Sequence, residues 1–176
     1  MNAIMLDIET LGVKPGCVVL SIGAVEFDTT TGELSKEFEI VINANDACAQ
    51  GLTIEPSTVM WWMDQSESAR DAVMQGTITL RAGLAQLVAA FDWNKRVWCN
   101  GASFDFPILE AAYCAAGLEQ PWKFWNCMCF RTIKNLVPKR VYDTVKVEPA
   151  VAHRALDDAK AQALTLVALL KHLGVS

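Results

Sequence analysis

The order in which apolar periodicity changes along the chain constrains its fold more than any single motif. Ala3 to Ile8 form an apolar run with β-branched members, and Val18 to Phe27 and Glu33 to Ile42 follow as two more strand-like runs. The turn residues Asp28-Thr29-Thr30-Thr31-Gly32 join the last two, so the chain opens as a three-stranded meander. After Pro56 the period lengthens. Glu67 to Met74 read as a helix, and Leu80, Leu84, Leu87, Val88 and Phe91 fall at helical spacing behind Thr79, a suitable N-cap. Arg96 to Asn100 read as a short buried strand, and Phe106, Leu109, Tyr113 and Ala116 as one helix face closed by Gly117. Phe124 to Cys127 read as another short strand, and Pro138 to Pro149 as a loop. A final helix spans Arg154 to Leu173, with Ala159, Ala163, Leu166, Leu170 and Leu173 on one face. A meander followed by alternating helix and strand predicts an α/β fold: one mixed sheet, antiparallel in its first three strands and then parallel, flanked by helices.

Nothing in the chain suggests a second unit. Its 176 residues, 52% hydrophobic and 20% charged, suit a single domain with a real core, without repeat, linker or low-complexity tract. No apolar run approaches the roughly 20 residues of a membrane-spanning helix, and the opening MNAIMLDIET lacks the layout of a signal peptide. A cytoplasmic protein without membrane association is expected. The six cysteines form no CxxC pair, and Cys127 and Cys129 have no histidine nearby to complete a zinc site, so all read as reduced thiols.

Five residues carry potential chemistry. Asp7 and Glu9 lie two apart at the end of the first strand and so share one face of the sheet. Facing inward, such a pair would repel and resist ionising unless a hard divalent cation sat between them; at an exposed edge it would need no explanation. Asp105 stands at the start of a helix behind Gly101-Ala102-Ser103-Phe104, where the helix dipole alone would favour an acid. His153 and Asp158 are five apart and would diverge on a continuous helix, so they converge only if His153 lies in the loop before it. Otherwise they are a capping histidine and an early-helix acid.

Taken in order, these residues resemble the DEDDh branch of the DnaQ-like 3′→5′ exonucleases. The three motifs read Asp7-Ile8-Glu9-Thr10, Asn100-Gly101-Ala102-Ser103-Phe104-Asp105 and His153-Arg154-Ala155-Leu156-Asp157-Asp158-Ala159, and the likeness spans nearly the whole chain. The stretches LDIETLG, SIGAVEFD, WWMDQSESAR and NGASFDFPIL are similar to small phage and prophage exonucleases of the exodeoxyribonuclease VIII-like group, relatives of bacterial exoribonucleases. The resemblance implies a ribonuclease H-like fold and two divalent cations, Mg2+ or Mn2+. Asp7, Glu9 and Asp158 would bind one cation; Asp7, with Asp105 through water, would hold the other. The family spacing from the histidine selects Asp158 over Asp157. Two such cations can clamp an in-line displacement at phosphorus, with His153 as the general base.

The implied partner is a single-stranded 3′ end of RNA or DNA. In this family the residues after the first motif cradle the terminal nucleoside, which nominates Thr10, Leu11 and Gly12, and Phe104 and Phe106 could stack on a base. The net charge of −5 argues against a protein that coats duplex DNA, although cations held by the acids would reverse the local sign. Between Arg131 and Lys146 five basic residues face one acid, Asp143, and this stretch suits guidance of the phosphate backbone. Arg131 is the member expected to touch substrate, and Lys139 and Arg140 suggest a mobile loop closing on the strand. His172, near the C-terminus, reads as a surface residue. The competing functions are a binding module that lost the reaction, and a phosphoesterase acting on dinucleotides or small diesters.

Trp61 and Trp62 diverge by about 100° on a helix, so they cannot both face the interior and one is free to reach an interface. Proteins of the resembled family form homodimers, so the resemblance implies a dimer contact in the stretch Trp61 to Arg70, with a plain core tryptophan as the competing account. Size-exclusion chromatography over a dilution series should then show dimer mass giving way to monomer; monomer mass at every concentration removes the contact.

Overall fold

In the computed structural model, which describes residues 1–175, three antiparallel strands come first: β1 (Ala3–Thr10), β2 (Val19–Phe27) and β3 (Leu34–Val41). Four helices follow, α1 (Ala44–Ala49), α2 (Pro56–Met63), α3 (Glu67–Met74) and α4 (Leu80–Ala90). Then β4 (Arg96–Cys99), α5 (Asp105–Ala115), β5 (Cys127–Cys129), α6 (Phe130–Asn135), α7 (Lys139–Val145) and α8 (Ala155–His172) complete the chain. The sheet has five strands in the order β3-β2-β1-β4-β5, with β4 parallel to β1 and β5 parallel to β4. This is the mixed sheet expected from the sequence. Among the described residues no helix is long and apolar enough to cross a membrane.

Strand alternation sorts the core into two layers. Ile4, Leu6 and Ile8 of β1 point into a large apolar cluster with α4 and α5, while Ala3 and Met5 point to the other face. There they meet Ala159, Ala163, Leu166 and Leu170 of α8, the apolar stripe expected of that helix. Asp7 and Glu9 continue the Ala3-Met5 row, so both carboxylates lie on the face that α8 covers.

The predicted boundaries held at Thr79, whose hydroxyl accepts from the Ala82 amide, and at Gly117. Gly117 has φ +64°, and the Leu118 amide donates to the Tyr113 carbonyl at 2.9 Å, closing α5. Two expectations are corrected. Phe124 to Asn126 form a 3-10 turn, not a strand, and β5 begins only at Cys127. Phe124 and Trp125 are 82% and 64% exposed, so their β propensity has no packed surface to act on. Residues 138–149 are not all loop: Lys139–Val145 form α7, with Pro138 at its N-cap and a Lys139–Asp143 ion pair at 2.6 Å along it. Lys139 and Arg140 therefore sit in a helix, which replaces the expected mobile loop.

One close approach fixes where α8 begins. Gly23 of β2 pairs with Asp7, and a Cβ at Gly23 would lie 2.2 Å from both the Ala155 carbonyl carbon and the Leu156 amide nitrogen. Backbone cannot move aside as a flexible side chain can. Gly23→Ala should therefore push the start of α8 off the sheet, lowering unfolding free energy in urea by about 1–3 kcal/mol or more. An unchanged urea midpoint would show that α8 tolerates the added methyl group.

Candidate active site

The first strand ends where the sheet opens toward α2 and the loop before α8. Glu9 is 8% exposed and Asp105 is 4% exposed, whereas Asp7 is less enclosed. Asp105 opens α5: its amide donates to the Gly101 carbonyl at 3.1 Å, and its Oδ2 accepts from the Gly101 amide at 3.2 Å. This reciprocal pair locks the turn that carries the second motif. Because β4 runs parallel to β1, its C-terminal end delivers Asp105 beside Asp7 and Glu9.

His153 lies in the loop before α8 with φ 64°, the left-handed region that histidine adopts more readily than most residues. Its amide donates to Asp158 Oδ2 at 2.8 Å, which holds the loop against the first turn of α8 and offsets that conformation. The doublet is thereby separated: Asp157 Oδ2 accepts from the Val151 amide, while Asp158 faces His153 and Glu9. Arg154 fastens the same loop to β3 through two hydrogen bonds to Glu39, at 2.8 and 2.5 Å. Ligand atoms of Glu9, His153 and Asp158 all lie within 4.8 Å of one another.

Crowding and burial act on these acids together. Burial, then Asp105 and Glu9, push Asp7 well above the usual carboxylate range, against a hydrogen bond from Gln162. Burial, Asp158 and Asp105 raise Glu9 to about 8. Burial raises Asp105 to about 6, opposed by the Gly101 amide, Cys99 and the Arg131 guanidinium. Asp158 is raised by burial, opposed by the His153 amide and imidazole. A cluster of oxygen donors that resists ionising is one that a divalent cation would stabilise.

The residues expected to contact substrate lie in different surroundings. A cleft of about 370 Å³ beside Glu9 is lined by Thr10, Gly12, Trp61 and Phe104. Leu11 does not line it; that side chain turns toward a separate apolar groove with Trp62 and Met63. Phe106 is 4% exposed in the core against Trp122, so of the two phenylalanines flanking Asp105 only Phe104 reaches the cleft. Arg131 is exposed and lies beside Gly101, with its Nη2 3.3 Å from the position a Gly101 Cβ would take. Lys134 and Lys146 line a hollow of about 240 Å³ that also contains Asp158. His172 is exposed at the end of α8.

One contact went unread in the sequence. The Trp62 indole nitrogen donates to the Thr10 carbonyl at 2.9 Å, burying that ring, while Trp61 stays 42% exposed. Both rings meet the His153 imidazole edge to face, with centroids at 4.9 Å for Trp61 and 6.3 Å for Trp62. That only one of the adjacent tryptophans is buried was legible; that the two rings meet, with centroids at 5.1 Å, around a histidine far along the chain was not. The six cysteines are free, with Cys17 and Cys99 buried and Cys48 and Cys114 exposed.

Comparison with known proteins agrees with this arrangement. The model of the Rv2179c-like 3′-5′ exoribonuclease domain matches residues 2–170. An exodeoxyribonuclease of Enterobacteria phage T4 is 26% identical, over 96% of this chain and 88% of its own. Exonuclease X, solved in complex with 5′ overhanging duplex DNA, superposes with a TM-score of 0.63 at 18% identity, over 99% of this chain and 94% of its own. The nuclease domain of 3′hExo, a DEDDh family member bound to rAMP, gives 0.64 at 13% identity, over 97% and 92%. The sheet with its flanking helices is thus a ribonuclease H-like fold. The chain belongs to the Rv2179c-like 3′-5′ exoribonuclease domain family and is a 3′-5′ exonuclease, a hydrolase acting on nucleic acid.

Proposed function

We propose that this exonuclease acts as one domain over residues 1–176 and shortens single-stranded 3′ ends of RNA or DNA, releasing nucleoside 5′-monophosphates. Asp7, Glu9, Asp105 and Asp158 are its ligands for two divalent cations, Mg2+ or Mn2+, and His153 is its general base. The observation that carries this reading is the convergence of Glu9, His153 and Asp158 within 4.8 Å, beside two further acids raised by burial. The donor set fits a hard cation: carboxylate oxygens of Glu9 and Asp158 converge with one imidazole nitrogen, and Asp7 and Asp105 stand close enough to these acids to interact electrostatically. Cations held by these four acids would supply the activation of water and the stabilisation of charge on the leaving oxygen.

The chain's own groups supply the rest. His153 takes the proton of the attacking water; a bond forms from that oxygen to phosphorus, and the bond from phosphorus to the 3′ oxygen of the preceding nucleotide breaks. The imidazole, gripped by Trp61 and Trp62 and with its backbone tied to Asp158, has little freedom to swing away. Thr10, Gly12, Trp61 and Phe104 hold the terminal nucleoside, with the two aromatic rings available for stacking. Arg131 meets the phosphate, and Lys134 and Lys146 guide the preceding backbone.

Digestion of 3′- and 5′-labelled single-stranded RNA and DNA with Mg2+ or Mn2+ should show stepwise shortening from the 3′ end and identify the preferred sugar. EDTA and Asp7→Ala should abolish it, and His153→Ala should slow it about 10²- to 10⁴-fold. Intact strands from folded, cation-loaded protein would refute the reading.

The raised acids set a second expectation. Glu9 moves from an ordinary 4.5 to about 8 in the folded protein, and Asp7 and Asp105 shift the same way. The folded state therefore holds protons that the unfolded chain releases. This contribution is complete below the ordinary carboxylate range and is lost as pH rises through about 6 to 8. In EDTA the melting temperature should fall by several degrees across that window, and Asp7→Asn should flatten the fall. Mg2+ at the alkaline end should restore wild type but not the variant. A melting temperature independent of pH in EDTA would show that the acids are not crowded.

A further inference from the structure

Gln162 stands on α8 one turn beyond Asp158, on the same face of the helix, and belongs to none of the three motifs. Its Nε2 donates to Asp7 Oδ1 at 2.9 Å. Among the described residues this is the one side-chain hydrogen bond that Asp7 receives. The other end of the same amide, Oε1, is buried and has no hydrogen-bond partner among the described residues. Gln162 lines the hollow that also holds Asn100 and Asp158, distinct from the cleft beside Glu9.

Buried amide oxygens are almost always satisfied, and one left open beside a carboxylate cluster is suited to a non-protein donor. The residue type matters as well. A lysine or arginine at this position would neutralise Asp7 and compete with a cation; a glutamate would add a further like charge. A neutral amide of this length gives Asp7 a donor without changing the charge of the site. Among the described residues, Asp7 Oδ2 receives no side-chain hydrogen bond.

We propose that Gln162 is a positioning residue for the cation site, fixing Asp7 through Oδ1 and accepting a hydrogen bond from a cation-bound water through Oε1. The assignment rests on the cation reading given above. Groups that orient ligands in this way change metal affinity by roughly 10- to 100-fold when removed. Asn in place of Gln162 keeps the amide but falls about one methylene short of Asp7.

The test compares wild type, Gln162→Met and Gln162→Asn by calorimetric titration with Mn2+ alone and by the Mn2+ dependence of oligonucleotide shortening. Both variants should melt in EDTA close to wild type, bind Mn2+ roughly 10- to 100-fold more weakly, and need correspondingly more Mn2+ for half-maximal rate. KM for the oligonucleotide at saturating Mn2+ should be unchanged. Wild-type Mn2+ affinity in a folded variant overturns the proposal. A large loss of stability in EDTA, or a raised KM at saturating Mn2+, also overturns it, by showing a general structural role. Absence of Mn2+ binding in wild type itself would instead remove the cation reading beneath it.

Discussion

Mutual repulsion among carboxylates is the constraint around which this structure is organised. Two unit charges 4.8 Å apart repel by about 3 kcal/mol at an effective dielectric constant near 20, and Glu9 and Asp158 approach within that distance. Repulsion of that size rivals the gain from burying a large apolar side chain, about 1.5–3 kcal/mol. The acids therefore cannot gather by their own preference. They are forced together by two apolar layers that bury β1 on both faces, with Ile4, Leu6 and Ile8 on one and Ala3 and Met5 on the other. Burial raises all four acids, and repulsion within the cluster adds to it at Asp7 and Glu9.

The helix that completes the cluster must approach the sheet closely, and small residues on both partners allow it. Gly23 leaves no Cβ where the Ala155 and Leu156 backbone crosses β2, and Ala159 and Ala163 continue the narrow contact along α8. The same helix then presents Leu166 and Leu170 to the core. Packing at its far end thus holds in place the polar groups at its near end: Asp158, Gln162 and the loop bearing His153. Site geometry and core stability are coupled through one element, so a change in the apolar stripe of α8 reaches the acids without touching them.

Much of this was legible in the sequence because it rests on local periodicity. The alternation in β1 put Asp7 and Glu9 on one face, and the five-residue spacing of His153 and Asp158 required a loop where the structure has one. What failed depended on partners distant in the chain. Phe124 and Trp125 have the composition of a strand, but β4 pairs only from Cys127 onward. Residues 139–145 looked like loop because Pro138 precedes a polar stretch; Val141, Tyr142 and Val145 become a helix face only once the layer around α8 exists to receive them. Leu11 and Trp62 share a groove that no spacing rule connects, and Gln162 acquires meaning only opposite Asp7.

The charge balance bears on how such a protein can hold a polyanion. Of the basic residues between Arg131 and Lys146, Lys139 is paired with Asp143 and Lys146 with Glu148, while Lys134 lies 4.3 Å above the Tyr142 ring. Arg131 and Arg140 make no ion pair among the described residues and remain exposed, Arg131 beside the second motif. With so few uncommitted cations on a chain of net charge −5, backbone neutralisation contributes modestly. On the proposed reading, grip comes from the end of the strand: a nucleoside between Trp61 and Phe104, and a phosphate drawn to cations that the acids themselves recruit. A surface that grips the length of a strand only weakly while its cleft attracts the terminus favours an enzyme that works on ends.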